Sequence, residues 1–590
     1  MTTHTLPPGL LESISGPGSA AEIDILWSGQ YSRRLVQLRT ILDLVSDLAP
    51  DAGKRAHLQD NFAALATVQR HAPDVVAALL SGPQAGAWAA RCLRLLAGAR
   101  SAAPLWFHLA HLGSIATAAG IRSATGIEAH VPLRSGILCL PTLGQALTDQ
   151  TAPWILATCT PSTPFVVNGS SPREWHPLRL LETTAFSIPL DDTDPYWTCF
   201  NLPLARLTGS GLHRWRHQLT DAVQILAERH PDWLTTVAAA VRCLVPVEAS
   251  SRIGGVSASS RDAPGAVALT EPLGPDRLAS TLIHEVQHYR LNAVHDLVPL
   301  FRATKGELLY SPWRNDPRSR AGLLHGTAAF LGVAEFWHRE WPIAGSGAAL
   351  TYARMIRQLR AGHRSLSHGP DLTPAGTTLV DALHAAIDRL PETDLPSGIR
   401  RIADDLVAHH RALWRLHNVV PDSVDVARLA DEWQHRMPIT VLAEPDDRAT
   451  TTAAPGGDSP LFRLALAWAE GPDDVQAYAT DLKAFSARHP GADAADLPLL
   501  AGDYPAAQTI RLGQAGGGAV DAGTWASLSV AHGRVCADPP RSLLVTRPEL
   551  VRAAWTRLSS ETSHDSSRDL LAELISRYIA GTSTSDSMRR

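Results

Sequence analysis

The residues best suited to chemistry lie in "LASTLIHEVQHYRLNAVHDLVPLF", residues 278–301, where His284, Glu285 and His288 form an H-E-x-x-H. Two histidines four positions apart stack on one helical face, so both imidazoles can reach one metal ion. With 25 His in 590 positions, random placement gives only about 0.03 such motifs in a chain of this length. The glutamate has two available roles. In a zinc hydrolase it is the general base that activates metal-bound water. In a site that needs no such base it orients a ligand or a water. The three residues alone leave this open.

A mononuclear site needs a third ligand. Positions 291 and 294 are Leu and Val, so the extended motif H-E-x-x-H-x-x-G-x-x-H is absent. His295 and Asp296 lie about 10 to 12 Å along the axis from His288 if the helix continues, too far to share its metal. Glu307 has a spacing that some zinc proteases use, but it follows a segment that reads as loop. The favoured residue is His325 in "AGLLHGTAAFLGVAEFW", residues 321–337, whose one charged residue is Glu335. That pattern predicts a buried helix, and the space beside Gly326 would leave room for a ligand near the histidine. Glu335, about 15 Å further down the same helix, is an alternative to His325 and not a companion. The competing reading of His325 is a satisfied core histidine.

The elements that must hold these residues follow from periodicity. Residues 1–125 read as a helical region: "YSRRLVQLRTILDLVSDL" places Leu35, Leu38, Leu42 and Val45 at three- and four-residue spacing. Short apolar runs bounded by Gly, Pro, Ser and Asn make 126–205 a small β-rich region. Residues 206–443 form the metal-binding core, in which "VPVEASSRIGGVSASS" and "GAVALTEP" read as extended pieces before the motif helix. A strand beside such a helix can offer a free edge to an extended peptide. Residues 444–460 are a linker and 461–590 a C-terminal helical region. The fold class expected is α+β, predominantly helical, with a zincin-like H-E-x-x-H helix core and a small sheet. Asp191, Asp192 and Asp194 in "LDDTDPYW" are expected to shape a turn, and His409 and His410 to sit on a solvated helix face.

Composition narrows the classes. The chain is 45% hydrophobic and 19% charged with a net charge of −5, which gives no electrostatic case for nucleic acid or an anionic membrane. The N-terminus lacks signal-peptide regions and no run approaches a membrane span, so a cytoplasmic location is expected. The six cysteines, at 92, 139, 159, 199, 243 and 536, contain no C-x-x-C and are expected to be reduced and inert.

"LIHEVQHYRLNAVHDLVPLF", followed by "LLYSPWRNDPRSRAGLLHGTAAFLGVAEFW", resembles the H-E-x-x-H peptide-modification proteins of ribosomal peptide natural-product clusters, the 2-oxoglutarate-dependent peptide β-hydroxylases. The resemblance is strongest over 250–345, where "SASSRDAPGAVALTEPL" also fits, and extends more weakly over 1–440, including "IPLDDTDPYW". It implies a non-haem Fe(II) dioxygenase acting on a precursor peptide, with another maturation enzyme as a further partner. His284, His288 and His325 would leave open positions for 2-oxoglutarate and O2. The distal carboxylate of the cosubstrate calls for an arginine fork. Arg314 is preferred, then Arg318, from "SPWRNDPRSR", against the alternative that both tie a loop through Asp316. The competing functions are a zinc metallopeptidase that trims a precursor peptide and a non-catalytic peptide-binding maturation partner.

Overall fold

The computed structural model describes residues 6–160, 165–169, 171–248, 255–302, 307–367, 371–437, 448–449, 459–477, 481–516, 521–538, 542–559, 571, 573 and 575. Most of the expected linker, 444–460, lies outside them. By its contacts the chain divides into two compact units, Met1–Leu300 with Pro374–Leu379, and Phe301–Thr373 with Val380–Arg590. The fold is predominantly helical with small sheets. No described helix is long and apolar enough to cross a membrane.

The first unit opens with helices α1 (Leu10–Ser13), α2 (Ala20–Leu48), α3 (Pro50–Arg55), α4 (Leu58–His71), α5 (Pro73–Ser81), α6 (Pro83–Leu96) and α7 (Leu105–Ser123). Ser19 starts α2 with a capping box: its hydroxyl accepts from Glu22 N while the Glu22 carboxylate accepts from Ser19 N. Of the leucine stripe read from the sequence, Leu38 and Val45 are buried, whereas Leu35 is exposed. The periodicity located the helix but overestimated the width of its buried face.

Eight strands follow: β1 (Ile127–Pro132), β2 (Ile137–Leu140), β3 (Gly144–Leu147), β4 (Trp154–Cys159), β5 (Val166–Val167), β6 (Glu174–Pro177), β7 (Arg179–Glu182) and β8 (Ser187–Leu190). Two three-stranded sheets form, ordered β1-β4-β5 and β2-β3-β6. The aspartate run that follows β8 makes a buried turn in which Asp191 Oδ1 accepts from Thr193 N, Thr193 Oγ1 and Asp194 N. After α8 (Gly209–Arg229) and α9 (Pro231–Ala240) come β9 (Cys243–Pro246), β10 (Ser257–Ser260) and β11 (Ala263–Leu269). These three join β7 and β8 in a five-stranded mixed sheet ordered β10-β11-β9-β8-β7. Every residue of β11 is buried, whereas β10 is half-buried and forms one edge.

The motif helix is α10, Pro275–Leu297. Pro275 at its first position presets φ, and Asp276 in the first turn suits the positive end of the helix dipole. Leu278, Leu282, Val286, Tyr289 and Ala293 bury one stripe, and α10 packs on α2, α8, α9, β10 and β11. The helix is also clamped on the N-terminal segment. Gln287 Nε2 donates to Ile14 O at 2.8 Å, and Arg290 donates to Gly16 O, Ser13 O and Gln287 Oε1. A Cβ at Gly18 would lie 2.7 Å from the Arg290 guanidinium, so any side chain there would push that guanidinium out of its present position.

In the second unit, β12 (Leu308–Leu309) pairs with β13 (Arg318–Ser319), and α11 (Arg320–Ala344) is capped by the Ser319 hydroxyl. Next come α12 (Ser346–Ser367), α13 (Pro374–Asp388, shared between the units), α14 (Ser397–Asn418) and α15 (Ser423–Gln434), with further helices from Pro460 to Ser559. His409 and His410 are buried on α14, contrary to the solvated face expected from sequence. The reason is tertiary: α14 packs against α12 and the helices Pro460–Glu470 and Ala522–Val535, so little of its circumference is left for water. The Tyr310 hydroxyl and His410 Nδ1 share a hydrogen bond at 2.9 Å.

Candidate metal centre

The face of α10 opposite its buried stripe carries Arg277, Thr281, His284 and His288, at spacings of four, three and four. Arg277 is exposed and the other three are half-buried. The Nε2 atoms of His284 and His288 lie 3.2 Å apart with their rings perpendicular. Two donors at that separation suit one ion. A tetrahedral ion would sit about 2.0 Å from each, and one binding them at a right angle about 2.3 Å from each. The pair therefore fits zinc and iron alike. Burial holds the His284 imidazole below its ordinary pKa, which favours the neutral form that ligates.

Glu285 turns about 100° away from His284 around the helix and is 2% exposed. Its Oε1 accepts from Ser257 Oγ at 2.7 Å, which ties the motif to the edge strand β10. Its Oε2 is shut from solvent and has no hydrogen-bond partner among the described residues. β10 pairs with β11 on one side, and its other side is a free edge within this sheet.

A cavity of about 110 Å³ lies beside the start of β10, lined by Val256, Ser257, Thr270, Glu271, Arg277 and Thr281 among others. Arg214 grips Glu271 through Nη2 at 2.9 Å and through Nε, holding that carboxyl below the usual range. Arg277 has no ion pair among the described residues. Reading from sequence did not single it out, although it lies seven residues before His284, two helical turns along one face.

The other sequence-derived residues have distinct surroundings. α10 runs unbroken to Leu297, the condition under which His295 and Asp296 lie about 10 to 12 Å past His288. Asp296 accepts from Arg261 Nε at 2.8 Å and Gln30 Nε2 at 3.0 Å and pairs with Arg33, so it serves packing. In the second unit Arg314 Nε donates to Asp316 Oδ1 at 2.8 Å, and Arg318 Nη2 lies 3.0 Å from Asp316 Oδ2. Arg320 donates to the carbonyls of Ser365 and Leu366 and pairs with Asp371. Glu307 pairs with Arg320 and Arg448. His325 is half-buried on α11, the helix expected for it. The space beside Gly326 was expected to suit a ligand, but the Trp313 indole fills it: a Cβ there would lie 2.2 Å from Trp313 Nε1.

No protein-family model matches the chain, and no curated protein matches it.

Proposed function

We propose that the chain is an oxygenase that hydroxylates the β-carbon of a side chain in a ribosomally made precursor peptide, using Fe(II) and 2-oxoglutarate. Beside the resemblance over 250–345, the reading is carried by the His284–His288 pair, whose Nε2 atoms lie 3.2 Å apart on a helix pinned to a free-edged strand. A zincin-like core, with the motif helix laid against a sheet edge, belongs to the same reading. A bound Fe(II) would let O2 act as the oxidant, one oxygen atom converting 2-oxoglutarate to succinate and CO2 and the other converting the substrate C–H to C–OH.

The chain's own residues have separate tasks. His284 and His288 hold the ion as neutral imidazoles. On sequence grounds the third ligand is His325. β10 is an edge strand of its sheet among the described residues, a position to which the backbone of an extended peptide would add as a further strand. Glu285, anchored by Ser257, is a positioning residue. The cation for the distal carboxylate is Arg314 or Arg318, each of which would have to leave Asp316. Exposed ion pairs contribute only about 0 to 1 kcal/mol, so that release costs little.

One observation favours a second reading, a zinc metallopeptidase that trims the precursor. Glu285 keeps a carboxylate oxygen with no partner among the described residues, as a general base requires. A third, a non-catalytic peptide-binding partner of another maturation enzyme, rests on the free edge alone and needs no metal.

The test is intact-mass analysis of the candidate precursor peptide incubated with purified protein. Gain of one oxygen that depends on both Fe(II) and 2-oxoglutarate is the expected result. Peptide fragments produced by zinc-loaded protein without 2-oxoglutarate would replace the oxygenase with the peptidase. Unmodified peptide bound by metal-free protein would leave the binding partner.

A further inference from the structure

A second cluster of metal-ligating side chains lies elsewhere in the first unit. His57 precedes α4, Asp60 lies in its first turn and His130 is on β1, and a ligand atom from each lies within 4.8 Å of the other two. His57 Nδ1 and Asp60 Oδ2 are already 3.5 Å apart. The backbone beneath them is fixed: Asn61 Oδ1 accepts from His130 N at 2.8 Å and Asn61 Nδ2 donates to His130 O at 3.0 Å. A Cβ at Gly113 of α7 would lie 2.0 Å from His130 O and 2.9 Å from Asn61 Oδ1, so α7 also packs closely on the strand at this point. His57 adopts a left-handed backbone, φ 51°, that a non-glycine residue seldom takes. His130 Nδ1 is shut from solvent with no hydrogen-bond partner among the described residues. Trp154 stands edge-on to both imidazoles and walls one side.

We propose that His57, Asp60 and His130 form a second metal site, for a divalent cation of the zinc type, which staples the start of α4 to β1. Two imidazoles and one carboxylate are a donor set that zinc accepts, and the exposed Asp60 side leaves its fourth position to water. Ligand atoms on a tetrahedral ion lie about 3.3 Å apart, so no gap has to close by more than about 1.5 Å. Turning the imidazoles about Cβ–Cγ, a broad torsion, does this without moving the backbone. The rings are stacked at 3.7 Å and 9°, with their nitrogen lone pairs in parallel planes, so binding has to unstack them.

The test is calorimetric titration with ZnCl2 of the full chain carrying His284→Ala and His288→Ala, which removes the motif pair. One equivalent of zinc should still bind and raise the melting temperature. Adding His130→Phe, which keeps an aromatic ring in the stack, should weaken that binding about a hundredfold or more and abolish the thermal shift. Failure of the motif-deleted chain to bind zinc, or binding unchanged by His57→Phe and His130→Phe together, overturns the proposal. Should the motif-deleted chain not fold, zinc stoichiometry in the otherwise native chain decides. It should fall by one equivalent in the His57→Phe/His130→Phe variant, and an unchanged stoichiometry overturns the site. Neither arm depends on the oxygenase reading.

Discussion

Replacing His288 by alanine tests the centre most directly. In the structure His288 supplies one of two Nε2 donors held 3.2 Å apart by four residues of one helix. Structural zinc sites with four ligands contribute about 10 to 16 kcal/mol of binding, or roughly 2.5 to 4 kcal/mol per ligand. At about 1.4 kcal/mol per factor of ten, His288→Ala should weaken binding at this site roughly sixty- to seven-hundred-fold. Folding should survive, because His288 is on the less buried face and the stripe from Leu278 to Ala293 is untouched. The assay is competition between the protein and a chromophoric chelator, with Co(II) or Zn(II), in a His57→Phe/His130→Phe background so that one class of site is read. Circular dichroism confirms the helix content. His295→Ala serves as the control, because that imidazole lies two turns further along an unbroken helix. A folded His288→Ala protein with the parent's affinity would refute the reasoning, as would a His295→Ala protein that loses metal.

Three further outcomes are expected. Arg314→Lys, which keeps the charge and loses the fork, should weaken 2-oxoglutarate by about 1 to 3 kcal/mol in apparent KM while iron stays bound; if KM is unchanged there but rises in Arg277→Gln, the cation is Arg277. Gly326→Ala drives a methyl to 2.2–2.3 Å from three atoms of the Trp313 indole, against an ordinary contact of about 3.5 to 4.0 Å. It should cost about 1 to 3 kcal/mol in denaturant unfolding, and unchanged stability would mean that Trp313 is not seated there. Burial pushes His111 and His410 down to about 3 from an ordinary 6.5, so between those values the unfolded chain binds protons that the folded chain refuses. Their contribution is complete above pH 6.5 and is lost as pH falls toward 3, by about 1.4 kcal/mol per pH unit for each histidine. His410→Gln, which can still hydrogen-bond Tyr310, should flatten the acid limb of a stability–pH curve, and an unaltered slope would contradict the burial argument.

Local chemistry determined much of this in advance. A 3.6-residue period, a proline at the first helical position and two histidines four apart are properties of contiguous residues. The helix carrying the motif, the His284–His288 face, the short strands between 126 and 200 and the aspartate turn at 191–194 could therefore be read from sequence. Contacts between residues distant in the chain could not. Gln287 sits inside the motif and Arg290 two residues past it, yet their partners at 13–16 are some 270 positions away. Trp313 filling the notch at Gly326, Ser257 holding Glu285 and the burial of His409 and His410 likewise depend on which surfaces meet. His57 and His130, 73 positions apart with no motif between them, come together because Asn61 and Gly113 fix one strand against two helices. Periodicity shows which face of an element is apolar. What covers that face, and which polar groups are carried in with it, is decided when the elements pack.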